Sequence, residues 1–225
     1  MIKAVLFDLD GTLLNRDESV KRFIDDQYDR LNNCLGHIQR EEYMTRFIEL
    51  EKHGYVWKDK VYSQLVEEFK ITEVSWEGLL ADYISSFKNH CVPFPNLIPM
   101  LEKLKRTGYK LGMITNGYGK FQMDNIRALG IESYFETILV SEWEGIKKPD
   151  AQIFERALMQ LNAKANEAVF IGDHPVNDIQ ASQIAGMTGI WKRDLHGDGE
   201  TRGFTIDDLL ELPSLIEEVN KETIA

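Results

Sequence analysis

Two aspartates spaced i, i+2, Asp8 and Asp10, directly follow the apolar run Ala4-Val5-Leu6-Phe7 and precede Gly11. A short continuous apolar run closed by a turn signal fits a strand buried on both faces, as in a parallel sheet. The two acids then fall at its carboxyl end, the edge at which open α/β sheets bind ligands. Carboxylates held that close repel each other, so a shared proton or a cation is expected to offset them. Turn or helix-capping aspartates would give the same local text. What decides between the readings is whether other segments bring complementary groups to the same edge.

They do. Thr115-Asn116-Gly117, Gly145-Ile146-Lys147-Lys148-Pro149-Asp150 and Gly172-Asp173-His174-Pro175-Val176-Asn177-Asp178 each lie at or beyond the end of an apolar run. Several carboxylates, a hydroxyl and a lysine stabilise a fold poorly. They suit Mg²⁺, a hard cation that prefers oxygen ligands and retains some of its waters. A phosphoryl group completes the chemistry, with metal and lysine offsetting its charge, one carboxylate attacking and another handling the leaving group's proton.

The elements that must position these residues alternate. Strands are expected at residues 4–7, 110–115, 137–140, 168–172 and 188–191. Helices at 97–106, at 120–129, after the cap Asp150, and between the fourth strand and Gly186 separate them. This alternation predicts an α/β fold, a doubly wound parallel sheet with helices on both faces. Residues 205–210 resemble a capped helix start, and Pro213 suits the first turn of a last helix. Between the first two strands the text is helical throughout. Ser19 is placed as the cap of a helix bearing Val20, Phe23, Ile24 and Tyr28, with Gly36 as its left-handed stop. Three further amphipathic helices follow, centred on Tyr43 and Phe47, on Val61 and Leu65, and, after Ser75, on Leu79 and Tyr83. The expected organisation is a catalytic core of residues 1–15 and 92–225 with a helical-bundle cap, 16–91, inserted after the first strand. Tyr28, Tyr43, Phe47, Trp57, Trp76 and Tyr83 have mostly the spacing of bundle core.

Asp8-Leu9-Asp10-Gly11-Thr12, Ile114-Thr115-Asn116-Gly117, Lys147-Lys148-Pro149-Asp150 and Gly172-Asp173-His174-Pro175-Val176-Asn177-Asp178, in this order, resemble the four motifs of the haloacid dehalogenase (HAD) superfamily. The insertion resembles the cap of its first subfamily, rich in small-molecule phosphatases, and a cap of that type closes over the site. The resemblance implies Asp8 as the nucleophile that becomes an aspartyl-phosphate. It implies Asp10 as general acid and then base, with its main-chain carbonyl on Mg²⁺. Thr115, helped by the Asn116 backbone, would bind the phosphoryl group, and Lys148 would offset charge. Asp173 would join Asp8 and Asp10 at the metal, and Asp178 would support Lys148 or metal-bound waters. Lys148 is preferred to Lys147 because the family's lysine immediately precedes the proline. His174 departs from the small residue usual there and is assigned to the turn, Asn177 to capping.

Composition narrows the partners. The chain has 225 residues, 43% hydrophobic and 28% charged, with a formal charge of −11 and two cysteines, Cys34 and Cys91, lacking metal-ligand spacing. Without clustered Lys and Arg, nucleic acid is not an expected partner. No apolar run nears the ~20 residues that span a bilayer, and no basic-then-apolar leader opens the chain, so a cytoplasmic protein, monomer or homodimer, is expected. The expected activity is Mg²⁺-dependent hydrolysis of a small phosphomonoester such as a sugar phosphate, phosphoglycolate or a nucleoside monophosphate. A 2-haloacid dehalogenase would typically lack an acid at position 10 and need no metal. A phosphosugar mutase shares the motifs, and a catalytically silent binding protein would have no need of the carboxylate cluster.

Overall fold

The computed structural model describes residues 1–193 and 203–222. Contacts divide the chain into two compact units, one of Met1–Asn15 with Pro93–Ala225, the other of Arg16–Val92.

The first unit is built on a six-stranded sheet: β1 (Ala4–Phe7), β2 (Lys110–Thr115), β3 (Thr137–Val140), β4 (Ala168–Gly172), β5 (Thr188–Lys192) and β6 (Phe204–Ile206). The order is β3-β2-β1-β4-β5-β6 and every pairing is parallel. Burial explains the apolar runs. All four residues of β1 are inaccessible, so both faces of the strand are covered. Removing each of Leu6 and Phe7 from water contributes about 1.5–3 kcal/mol. Ala4 and Leu6 share one face with Ile114, Leu139 and Phe170 and pack on Ile153, Phe154 and Ala157 of the helix Ala151–Gln160. Phe154 meets Phe170 edge-on at 5.0 Å. Asp150 caps that helix by accepting from Gln152 N at 2.9 Å, and Gly108 ends the helix Leu97–Thr107 with φ +91°.

β1 is the hinge of the topology. The chain proceeds from β1 to β2 to β3 on one side, then crosses to β4 on the other, so the switch point lies between β1 and β4. Phe7 pairs with both Met113 and Ile171, and Asp8 N donates to Ile171 O at 2.8 Å. Asp8 therefore emerges at the crevice.

The second unit contains the helices Arg16–Arg30, Asn32–Leu35, Arg40–Glu51, Lys58–Glu68 and Trp76–Ser86. Phe23, Tyr28, Tyr43, Phe47, Tyr62, Tyr83 and Phe87 are buried in it, whereas Trp57 and Trp76 are half-buried. Ser75 caps its helix, accepting from Gly78 N at 3.3 Å.

Three expectations are corrected. Ser19 is no cap: its helix begins at Arg16, and the buried Ser19 Oγ accepts from Val92 N at 2.9 Å. Gly36 is right-handed, with φ −65°, because a separate short helix, Asn32–Leu35, runs into it. Residues 204–206 form β6 on β5 instead of starting a helix; Asp208, two residues later, is the cap, accepting from Leu210 N at 2.7 Å. Among the described residues, no helix is long and apolar enough to cross a membrane.

Candidate active site

β1 delivers Asp8, only 7% exposed, and the turn after it delivers the half-buried Asp10. Gly11 makes that turn possible. Its φ is +78°, and a Cβ there would lie 2.2 Å from Asp173 Oδ2, so only glycine lets the β1 and β4 loops approach. Beyond β4, Asp173 is held by its main chain, whose carbonyl accepts from Trp191 Nε1 at 2.8 Å. His174 Nδ1 accepts from Val176 N and Asn177 N, each at 3.1 Å, capping the π-helical segment Pro175–Gln180. That segment carries Asp178, whose Oδ2 accepts from His174 N at 3.0 Å.

Lys148 joins the two sides. It is 3% exposed, and its Nζ donates to Asp8 Oδ1 and to Asp178 Oδ1, both at 2.6 Å. Lys147 is exposed. The Lys148 main chain is clamped by Asn116, whose Nδ2 donates to Lys148 O at 3.0 Å and whose Oδ1 accepts from Lys148 N at 2.9 Å. The Asn116 side chain is thus spent on tying the β2 loop to the lysine loop.

Burial opposes charge here, and partners decide the outcome. Burial pushes the Asp8 carboxyl up to about 7 despite the adjacent Lys148 ammonium, with Asp178 adding to the rise. Asp173 is pushed well above the ordinary carboxylate range by burial and by Asp8 and Asp178. Burial also works against the Lys148 ammonium, but Asp178 and Asp8 outweigh it and hold it above the usual lysine value.

The donor set fits a divalent cation. Carboxylate oxygens of Asp8, Asp173 and Asp178 lie within 4.8 Å of one another, and Lys148 is the ammonium bonded to two of them. When ionised, three carboxylates against one ammonium leave a deficit of positive charge at a largely buried position, which a metal bound by oxygen would fill. The sequence put Asp10 among the metal-facing residues and Asp178 in support. Asp10 was placed there through its main-chain carbonyl; its carboxylate Oδ2 accepts from Gln122 Nε2 at 2.7 Å. Thr115, inaccessible at the end of β2, is bonded by the same Gln122 Nε2 at 2.7 Å.

Two residues at the site went unnoticed in the sequence. Gln122 stands in the helix Gly119–Ala128 at a position that reads as an ordinary polar helix residue, though it is 2% exposed. Lys192, at the end of β5 and 3% exposed, donates to Gly11 O at 3.2 Å and lies 3.3 Å from the Phe94 ring centroid. The one available signal was that Lys192, too, directly follows an expected core strand.

A buried carboxylate–lysine cluster at the switch point of a parallel sheet defines an α/β enzyme that works through strand-end side chains. The family model for haloacid dehalogenase-like hydrolases matches residues 5–192. Glyceraldehyde 3-phosphate phosphatase of Methanocaldococcus jannaschii is 30% identical over 99% of this chain and 100% of its own. The crystal structure of a HAD phosphatase from Thermococcus onnurineus is 29% identical, with a TM-score of 0.68 over 96% of this chain and 98% of that one. A 2-haloacid dehalogenase from Pseudomonas syringae is 28% identical, with a TM-score of 0.64 over 97% and 99%. The chain belongs to the haloacid dehalogenase-like hydrolase family.

Proposed function

We propose that this protein is a Mg²⁺-dependent phosphatase acting on a small phosphomonoester through an aspartyl-phosphate on Asp8. The observation that carries the reading is the Lys148 bridge between Asp8 and Asp178, with a further carboxylate, Asp10, bonded to Gln122. One carboxylate is held beside a fixed positive charge, where a phosphoryl group and its nucleophile need it, and the other is separately placed for proton transfer.

Asp8 attacks phosphorus through a carboxylate oxygen as the ester P–O bond breaks. Asp10 gives its proton to the departing oxygen, releasing an alcohol. Asp10, now ionised, takes a proton from water, whose oxygen attacks the phosphorus of the acyl phosphate and frees inorganic phosphate and Asp8. Lys148 offsets charge on Asp8 and the phosphoryl oxygens, Thr115 and the Asn116 main chain bind those oxygens, and Asp178 orients Lys148. Asp8 and Asp173 are the residues to hold Mg²⁺, with Asp178 within reach and the Asp10 main-chain carbonyl as a further oxygen; the ion would supply positive charge that lets anionic phosphate approach three acids.

Asp10 separates this reading from dehalogenation, since displacing halide from carbon releases an anion that needs no proton. The helical unit, Arg16–Val92, is proposed to supply selectivity among esters. The substrate is proposed to be a small phosphorylated metabolite. Glyceraldehyde 3-phosphate, the compound in the relative's name, heads the panel.

The test is release of inorganic phosphate from a panel of phosphomonoesters with Mg²⁺, run beside Asp8→Asn. Phosphate release that disappears in Asp8→Asn and on chelation supports the reading. Release surviving both overturns it, and isomerised substrate without released phosphate identifies a mutase.

A further inference from the structure

Gln122 touches both halves of this machinery. Its Nε2 lies 2.7 Å from Asp10 Oδ2, 2.7 Å from Thr115 Oγ1 and 3.4 Å from Asn116 O. The chemistry of the partners fixes which end of the amide faces them. A main-chain carbonyl only accepts, a carboxyl oxygen that carries no proton only accepts, and Oε1 at the other end meets a donor, Asn125 Nδ2, at 3.5 Å. A flipped amide would set oxygen against oxygen at two contacts. Room for the side chain comes from Gly117, with φ +149°, where a Cβ would lie 2.9 Å from Gln122 Cγ.

We propose that Gln122 is a positioning residue for phosphoryl transfer, clamping Asp10 by one carboxylate oxygen and setting the direction of the Thr115 hydroxyl. The proposal rests on the phosphatase reading above. With Oδ2 of Asp10 held by the amide, Oδ1 is the oxygen left to meet the leaving group. A hydroxyl has one proton and two lone pairs. The Gln122 N–H occupies a lone pair of Thr115 Oγ1, so the Thr115 proton must point away from Gln122. The neighbouring acceptor, Asn116 O, is 3.5 Å from Oγ1, too long for a strong bond. The proton is therefore available to a phosphoryl oxygen. One buried amide, from a helix that supplies no reacting atom, orients both the proton-transfer group and a phosphate donor.

The test compares Gln122→Met, Gln122→Glu, Thr115→Val and the double variant Gln122→Met/Thr115→Val. Substrates are an aryl phosphate, whose leaving group needs no proton, and an alkyl phosphate, whose leaving group does. Thermal melting establishes that each variant is folded. Gln122→Met is expected to lower kcat on the alkyl phosphate about tenfold to hundredfold with KM changed less than about threefold, and to lower it less on the aryl phosphate. Gln122→Glu, which conserves shape but offers an acceptor to acceptors, is expected to lose at least as much. In the Thr115→Val background the aryl-phosphate loss from Gln122→Met is expected to vanish, because the hydroxyl it directs is gone. Losses equal on both substrates and additive with Thr115→Val would overturn the proposal and leave Gln122 as packing. If Gln122→Met does not fold, the Glu variant decides by the same comparison of substrates. Wild-type turnover that is abolished in Asp8→Asn but untouched in the Gln122 variants overturns this inference alone. Turnover surviving in Asp8→Asn overturns the reading beneath it.

Discussion

A buried ammonium is tolerated only where carboxylates meet it, and Lys148 meets two, one from β1 and one from the segment after β4. Lys148→Met leaves Asp8 and Asp178 with no charge between them. The expected cost is about 3–5 kcal/mol of stability in urea unfolding and about 10²–10³-fold or more in kcat. Adding Asp178→Asn removes one of the opposed charges, so the double variant should regain stability but not turnover. A double variant no more stable than Lys148→Met would show that electrostatic repulsion is not what the lysine relieves. Asp173 behaves in the opposite sense. Burial and like charges raise its pKa, so its ionised form at neutral pH works against the fold. Metal-free Asp173→Asn should therefore melt at or above the metal-free wild type. Mg²⁺ at a hundred times Kd should stabilise the wild type by about 2.7 kcal/mol, read as a rise in melting temperature, and leave Asp173→Asn unmoved. An equal Mg²⁺ response in both would place the ion elsewhere. Asp8, Asp173 and Asp178 were legible because each sits in a short motif directly after an apolar run, and Lys148 because its motif follows the third run a few residues on. Gln122 was not, because what buries it comes from Asp10 and Thr115, and Asp10 lies 112 positions away in the chain.

At the scale of elements, the helical unit buries its own ion cluster. Glu51, at the end of Arg40–Glu51, accepts from Lys58 Nζ at 2.9 Å and is forked by Arg16, while Glu51 and Lys58 are 2% and 1% exposed. Burial pushes Glu51 up, but Arg16 and Lys58 outweigh it and bring its pKa down to about 2. A depressed carboxyl stabilises above its unfolded value of 4.5, and that stability is lost as pH falls toward about 2. The difference corresponds to about 3 kcal/mol. Glu51→Gln should lose an amount of this order in urea unfolding at pH 7 and show a shallower decline between pH 5 and pH 2. An unchanged acid limb would assign that decline to other carboxylates. The helices themselves were legible from their 3.6-residue apolar period, but two of their ends were not. Ser19 has the side chain of a cap and is used instead as a buried acceptor for Val92 N, a contact across 73 positions. β6 was missed because it is three residues long, only Ile206 in it is fully buried, and Asp207-Asp208 resembles a helix start.

For the whole molecule, the place where the insertion leaves the core is also where it returns. Leu14 pairs with Pro93 in an antiparallel bridge, and Phe94 N donates to Leu13 O at 3.0 Å. Closing that gap needs only a turn, so the loop entropy removed with the insertion is not replaced by strain. Asp8, Asp10, Thr115, Gln122, Lys148, Asp173 and Asp178 all belong to the unit of Met1–Asn15 and Pro93–Ala225. Each contact described among them lies within that unit. Replacing residues 16–92 by a short Gly/Ser turn should therefore leave a cooperatively unfolding core whose melting temperature still rises with Mg²⁺. Such a core is expected to retain slow phosphate release from an aryl phosphate, abolished by Asp8→Asn. Its rates across the phosphomonoester panel should converge, since the proposed source of selectivity has been removed. A folded core that responds to Mg²⁺ and keeps the full protein's ranking of substrates would move selectivity out of the helical unit and into the strand-end loops. A core that folds without any Mg²⁺ response would mean that the three-aspartate cluster depends on residues 16–92 after all.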